Sequence, residues 1–275
     1  PMAEMNMRRR PALPGAIILI LLAAVYAAGA LMPDTAFAPD FSSSRLAPSL
    51  DHLFGTDWLG RDLLARTVKG LSVSITVGAV ASLVSAVIAA LVGVASAMGS
   101  RRVDAAVAWL IDLVMGVPHT ILVVLISFAC GRGMTGLIIG ISATHWTSLA
   151  RVIRAEVMQL REREFVAVSR SLGKSGPWIL VNHMLPHIVP QFVVGLVLMF
   201  PHAILHEAAV SFLGFGLPPE QPAIGIILSE SMSYISSGMW WPAVFPGAAL
   251  VCIVLLFDRL GDSLKTLLDP YSAHE

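Results

Sequence analysis

Charge is scarce in this chain: Asp, Glu, Lys and Arg together make up 13% of its 275 residues, about half the share usual in a soluble domain. What charge there is cancels, with 18 basic residues against 18 acidic ones. No strong field of one sign is available to hold nucleic acid, so no nucleic-acid partner is expected. Cysteine is nearly absent too. Cys130 and Cys252 both sit inside apolar runs and read as small buried hydrophobes, not as a disulfide or a metal pair.

Catalytic signatures are also missing. Gly173-Lys174-Ser175 matches the tail of a phosphate-cradling loop, G-x-x-x-x-G-K-S/T, but position 168 is Val where the first glycine belongs, and no strand precedes it. The chain is therefore not expected to bind ATP itself. His206-Glu207 opens a zinc-protease H-E-x-x-H pattern that fails at Val210. No Ser/His/Asp or Cys/His grouping follows from spacing, which argues against an enzyme. There is no internal repeat and no low-complexity segment.

What is present is apolar. Hydrophobic residues make up 56% of the chain, and its mean hydropathy is +0.78. Crossing about 30 Å of hydrocarbon takes roughly 20 such residues in a helix. Six stretches approach that length: 16–32, 73–98, 103–130, 134–149, 188–205 and 242–257. They predict an all-α integral membrane protein with six transmembrane helices. The third is expected to kink at Pro118, which removes a backbone donor. Arg8, Arg9 and Arg10 before the first stretch and Ala36-Phe37-Ala38 after it imitate a signal peptide. The run is a full span long and Pro39 follows at once, so it reads as a retained helix.

Counting Lys and Arg in the connections sets the orientation. Six spans place 1–15, 99–102, 150–187 and 258–275 on one side, with thirteen of the eighteen basic residues. Both termini are then cytoplasmic, and 33–72 and 207–241 are outer segments. The second of these is apolar and broken by Gly and Pro, which suits helical pieces dipping into the membrane under protein cover. Trp240 and Trp241 suit an interfacial anchor before the last helix.

The strongest anomaly is 151–190, which interrupts the apolar runs with Arg151, Arg154, Arg161, Arg163, Arg170 and Lys174. Within it 164–172 is helix-compatible, and Gly173 is placed to end a short helix with a left-handed cap. A second short segment, 177–185, leads back to the membrane through Pro186 and Pro190.

Four blocks carry a family resemblance. Glu164-Phe165-Val166, Gly173 and His183-Met184-Leu185-Pro186 resemble the cytoplasmic signature of ABC importer permeases, where a short coupling helix docks on an ATPase subunit. Phe54-Gly55-Thr56-Asp57-Trp58-Leu59-Gly60-Arg61-Asp62 with Arg66 and Gly70, Ser211-Phe212-Leu213-Gly214-Phe215-Gly216, and Leu268-Asp269-Pro270 resemble the dipeptide/oligopeptide/nickel branch of that family. The resemblance implies a type I importer permease fold in a bacterial inner membrane. It implies a second, similar permease, two ATP-binding subunits that carry the ATP, a periplasmic substrate-binding protein and surrounding lipid, with no cofactor on this chain.

It also implies a coupling site at Glu164, Phe165, Ala167, Leu172 and Gly173. The family's docking signature usually begins with Glu-Ala-Ala, where this chain has Ala167, Val168 and Ser169; Ala65 stands where the family often has Ser, and Ser72 where it often has Arg. With Ala in place of the Glu, docking is expected to lean on the shape of Phe165, Leu172 and Gly173.

For the cargo, Met199, His202 and His206 fall at i, i+3 and i+7, on one helical face, with Glu207 next in sequence. Imidazole and thioether suit nickel, copper or zinc, and ionisable groups in a span are functional candidates. Hydrogen bonding to neighbouring helices is the bland alternative. Pro201–His206 and His145-Trp146 resemble nickel-importer permeases more than peptide permeases. The expectation is nickel, free or chelated, passing His202 and His206 with Met199 and Glu207 in the pathway; a peptide is the alternative cargo. His183 and His187 fall to the docking region, His119 follows the kink proline, and His52 and His274 are expected to be solvated. A secondary transporter, with Asp112 as its in-span carboxylate, is the rival from another class.

Overall fold

The computed structural model describes residues 2–268, with side chains from residue 13 onward. Asp269 and Pro270 of the last resemblance block, and His274, lie outside the described residues. The first helix, α1 (Met2–Leu31), runs unbroken through the first apolar stretch. Two short 3-10 turns, Asp34–Phe37 and Phe41–Ser43, follow it. Among the described residues the β pairing consists of a single bridge, Thr56 to Asp62.

Helix α2 (Leu63–Met98) starts ten residues before the apolar stretch that announced it. Asp62 caps it by accepting from the Ala65 N–H at 2.9 Å, satisfying one of the free donors at a helix start. Arg66 in its first turn is 2% exposed, so hydropathy hides this turn although it is helical and buried. Helix α3 (Arg101–Met115) is capped by Ser100, and α4 (His119–Ala129) begins after Pro118. The expected single kinked span is instead two helices at 95°. Pro118 disfavours the α region at Val117 and cannot donate to the preceding turn.

Helix α5 (Met134–Arg161) has 28 residues, so the first eleven residues of the charged interruption continue a helix. It is long enough to span but carries Thr144, His145, Thr147 and Ser148 mid-length, which lowers its hydropathy. Three arginines at its end are tied to neighbours. Arg154 forks onto Asp104 of α3, Nε to Oδ1 at 2.6 Å and Nη2 to Oδ2 at 2.7 Å. Arg151 meets Asp112 at 2.6 Å, and Arg161 donates to the Ala97 carbonyl at the end of α2.

Short α6 (Glu164–Ser171) and α7 (Gly176–Ile179) precede a π turn at Leu180–Met184. Helix α8 (Leu185–Phe212) passes through Pro190 and Pro201 and reaches five residues past Glu207, the expected start of the second outer segment. The last two helices are α9 (Ile224–Ile235) and α10 (Trp241–Leu268).

Among the described residues, four helices are long and apolar enough to cross a membrane, or five if α3 and α4 form one broken span. The expected count of six is thus not reached on length and composition. The two cysteines are free but exposed on the protein surface, which corrects their reading as buried. Cys130 caps the end of α4 and Cys252 sits on an outward face of α10, where an apolar residue faces lipid as readily as protein.

Close approach fixes α4 against α5. A Cβ on Gly140 would lie 2.8 Å from the Val123 carbonyl oxygen, and one on Gly136 2.6 Å from that of Ser127. Small residues four apart let two helix backbones touch where a larger side chain would hold them apart. Gly140→Leu is expected to push α4 off α5 and destabilise the protein by about 1–3 kcal/mol, the usual cost of overpacking. Thermal unfolding of the purified protein in detergent checks this; an unchanged melting temperature would count against the close contact.

Candidate functional site

Two regions gather polar groups. Ahead of α2, the segment that leads into it folds around Asp57, which is 4% exposed. Its carboxylate accepts from the backbone N–H of Leu59 at 2.8 Å and of Arg61 at 3.0 Å. It also accepts from Arg61 Nε at 2.6 Å and Arg66 Nη1 at 2.7 Å. Arg66 then reaches α9, forking onto Glu230 at 2.7 and 3.2 Å, and Arg61 joins at 3.1 Å. Two carboxylates and two guanidiniums therefore lock the Gly55–Arg66 block to α9.

Trp241 at the start of α10 donates to the Thr56 carbonyl at 3.2 Å, and Phe54 stacks on Phe245 at 4.6 Å. The aromatic pair before the last helix is thus split in role: Trp241 clamps the outer segment, while Trp240 is 51% exposed. His52, expected to be solvated, instead pairs through Nδ1 with Asp62 at 2.8 Å. Hydrogen bonds from the Ser42 hydroxyl, the Ser43 hydroxyl and the Ser42 N–H hold the exposed Asp40 carboxyl below the usual carboxylate range.

The second region is a cavity of about 630 Å³ between the α3–α4 corner, α5 and α8. Met199, His202 and His206 of α8 line it together with His119 and His145. The corner at Pro118 delivers His119, the first residue of α4, and the polar middle of α5 delivers His145. His119 and His206 lie 4.3 Å apart by ring centroid, His119 and His145 4.5 Å, and His145 and His206 5.1 Å. One ring nitrogen from each of these three lies within 4.8 Å of the others. His202 shares the cavity and stands outside this trio.

Sequence reasoning grouped His202 with His206 by helical spacing and gave His119 no role. The signal available was Gly116-Val117-Pro118, a break that turns the next residue inward. Glu207, expected in the pathway, is fully buried away from the cavity. It accepts from Ser74 of α2 at 2.5 Å and from Ser211 one turn on at 2.9 Å. The next residue along a helix points about 100° away, from 3.6 residues per turn, so adjacency to His206 did not place it on the same face.

At the other end of α5, α6 turns Val166 and Ser169 inward and leaves Glu164, Phe165, Ala167 and Leu172 exposed. Gly173 follows with φ +77°. Phe165 packs edge-on to His183 at 6.0 Å and near His187 at 5.9 Å. A cavity of about 1110 Å³ opens beside it, lined by Glu164, Phe165, His187 and Gln191 and reaching Lys265 of α10. Of the six basic residues of the interruption, Arg151, Arg154 and Arg161 are engaged within the chain and Lys174 lies over the Trp178 ring at 4.7 Å, so less of its charge faces outward than the sequence suggests.

An all-helical, multi-pass membrane protein with a polar cavity between its helices and a short exposed helix at one end has the build of a transport permease. The chain belongs to the family of binding-protein-dependent transport system inner membrane components, which it matches over residues 86–271. It is 37% identical over 272 residues to a Brucella suis biovar 1 protein that carries the name of a peptide transport system permease, covering 98% of this chain and 90% of that one. It is 31% identical over 264 residues to the dipeptide transport system permease protein DppC of Bacillus subtilis, covering 96% and 82%. An inward facing structure of the MetNI methionine ABC transporter aligns with a TM-score of 0.62 at 19% identity, covering 75% of this chain and 98% of that chain. That likeness concerns the fold. The chain is an ABC importer permease subunit and has no catalytic role of its own.

Proposed function

We propose that this subunit pairs with a second, similar permease to form the translocation pathway of an ATP-driven importer of short peptides. The observation that carries the cargo is the likeness, over nearly the whole chain, to proteins named as peptide and dipeptide permeases. Two ATP-binding subunits dock on the cytoplasmic side, where they bind the ATP, and a periplasmic binding protein delivers cargo from outside. The Lys/Arg distribution supports cytoplasmic termini.

In this reading α6 is the coupling helix. Its outward residues Phe165 and Ala167, with Leu172 capping its end, support docking by shape, with Glu164 at the rim and Gly173 setting the exit. Movement of the ATPase pair carries α6, and with it the membrane helices, between two rigid-body states. Neither a nucleic acid nor a cofactor bound to this chain has a part in the mechanism.

A second cargo, nickel, is supported by one observation, the histidines around the α5–α8 cavity. Uptake of a labelled dipeptide and of labelled nickel by cells carrying the whole transporter separates the two. Peptide uptake that competes with unlabelled dipeptide is expected. A transporter that takes up neither, or whose permease does not co-purify with ATPase subunits, would overturn the importer reading.

A further inference from the structure

A peptide pathway needs polar groups, but it does not need three imidazoles converging on one point. We infer that His119, His145 and His206 form a binding site for a divalent transition-metal cation, brought either as the aquo ion or in a small chelate with coordination positions to spare. Placing that site in a transport pathway rests on the importer reading; the metal-binding chemistry does not.

Distances come first. A metal–imidazole bond of about 2.0–2.1 Å places ligand nitrogens roughly 3–3.4 Å apart around a tetrahedral or octahedral cation. The three nitrogens here already lie within 4.8 Å of one another, so side-chain rotation of about an ångström closes the set. They come from three different helices, α4, α5 and α8, of which α4 is fixed directly against α5 by the close approach at Gly136 and Gly140.

Protonation geometry agrees. His145 Nδ1 lies 3.2 Å from the Ile141 carbonyl. A carbonyl only accepts, so Nδ1 carries the proton and Nε2 keeps a free lone pair. A ring N–H anchored on a backbone carbonyl is the arrangement that orients metal-binding histidines. His119 Nδ1 is buried with no hydrogen-bond partner among the described residues. A buried ring nitrogen left unpaired is costly, and a ligand would relieve it.

The structural alternative is a set of histidines holding helices together by hydrogen bonds. Among the described residues no hydrogen bond joins His119, His145 and His206 to one another, and their ring planes are inclined by 51–84°. The trio therefore converges without bonding to itself.

The donor set also selects the cation. Neutral imidazole suits nickel, cobalt, copper and zinc, whereas magnesium and calcium prefer oxygen donors. No carboxylate lines this cavity, and Met199 and His202 supply further soft or borderline donors along α8. Three protein ligands leave coordination positions open, as transit requires. At about 630 Å³ the cavity has the size of a small-molecule site, so it holds a chelate as well as a bare ion.

The test uses the assembled transporter in detergent or nanodiscs. Cobalt(II) is titrated and followed by its visible absorption, and nickel retention after desalting is measured by mass spectrometry. One equivalent per copy of this chain is expected, insensitive to millimolar magnesium. His145→Gln and His206→Gln, which keep polarity and size but ligate poorly, are expected to weaken binding by roughly 10–100-fold, while Glu207→Gln leaves it unchanged. Nickel premixed with excess free histidine distinguishes the sources: retained binding assigns the chelate, and lost binding assigns the ion. Wild-type binding no tighter than that of the His119/His145/His206 triple variant would overturn the site. If ATPase subunits fail to co-purify with wild type, the importer reading falls instead, and the same titration on the permease alone still decides the metal site.

Discussion

Asp57→Ala is expected to destabilise the protein by about 3–5 kcal/mol, the scale of breaking a buried ion pair by removing one partner. Asp57 is the hub of the outer lock: it accepts from two backbone N–H groups and two guanidiniums. Without it, Arg66 stays 2% exposed and faces only Glu230, whose side chain is 25% exposed. The loss reads out as a lower melting temperature of the purified transporter and less permease in the membrane fraction. Asp40→Ala, at an exposed carboxylate bonded to its neighbours Ser42 and Ser43, is the control with little effect. Equal stability of the two variants would show that the four-charge lock does not hold the outer segment to α9.

The second large effect is expected at Gly173. Its φ of +77° is a left-handed conformation that costs a side-chain-bearing residue roughly 1–2 kcal/mol, and β-branched residues are least suited to it. Beyond its own chain neighbours, no atom of the described residues lies within 4 Å of where its Cβ would sit, so the cost is conformational and not steric. Gly173→Val is therefore expected to favour another exit from α6 by a factor of roughly 5–30, leaving the subunit assembled but lowering transport per ATP hydrolysed. Gly173→Asn, which tolerates the left-handed region, is expected to retain most coupling. Normal transport by a correctly assembled Gly173→Val transporter would remove α6 from the coupling role.

The helical membrane class was legible because composition alone demands it. The α6 exit was legible from one glycine after a short helix-compatible run. Helix boundaries were harder for a physical reason: charges inside a helix look like loop. Arg66 hid the first turns of α2, and Arg151, Arg154 and Arg161 hid the last turns of α5, because each is balanced by a partner far away in sequence. The α3–α4 corner was underestimated because Pro118 permits either a kink and a break, and only tertiary contact selects between them. The histidine trio combines residues from three helices, so spacing within α8 found His206 and could not find His119 or His145.

The unbroken length of α5 has a thermodynamic consequence. From His145 to Arg161 the helix rises about 24 Å at 1.5 Å per residue, and α6 begins three residues beyond its end. One stiff rod thus links the imidazole cavity to the exposed face of α6. If a ligand in that cavity favours one position of the rod, nucleotide on the partner subunits must change that ligand's affinity, and the ligand must change nucleotide affinity by the same factor. Cargo and nucleotide would then be linked ligands of a single mechanical element, each measurable through the other.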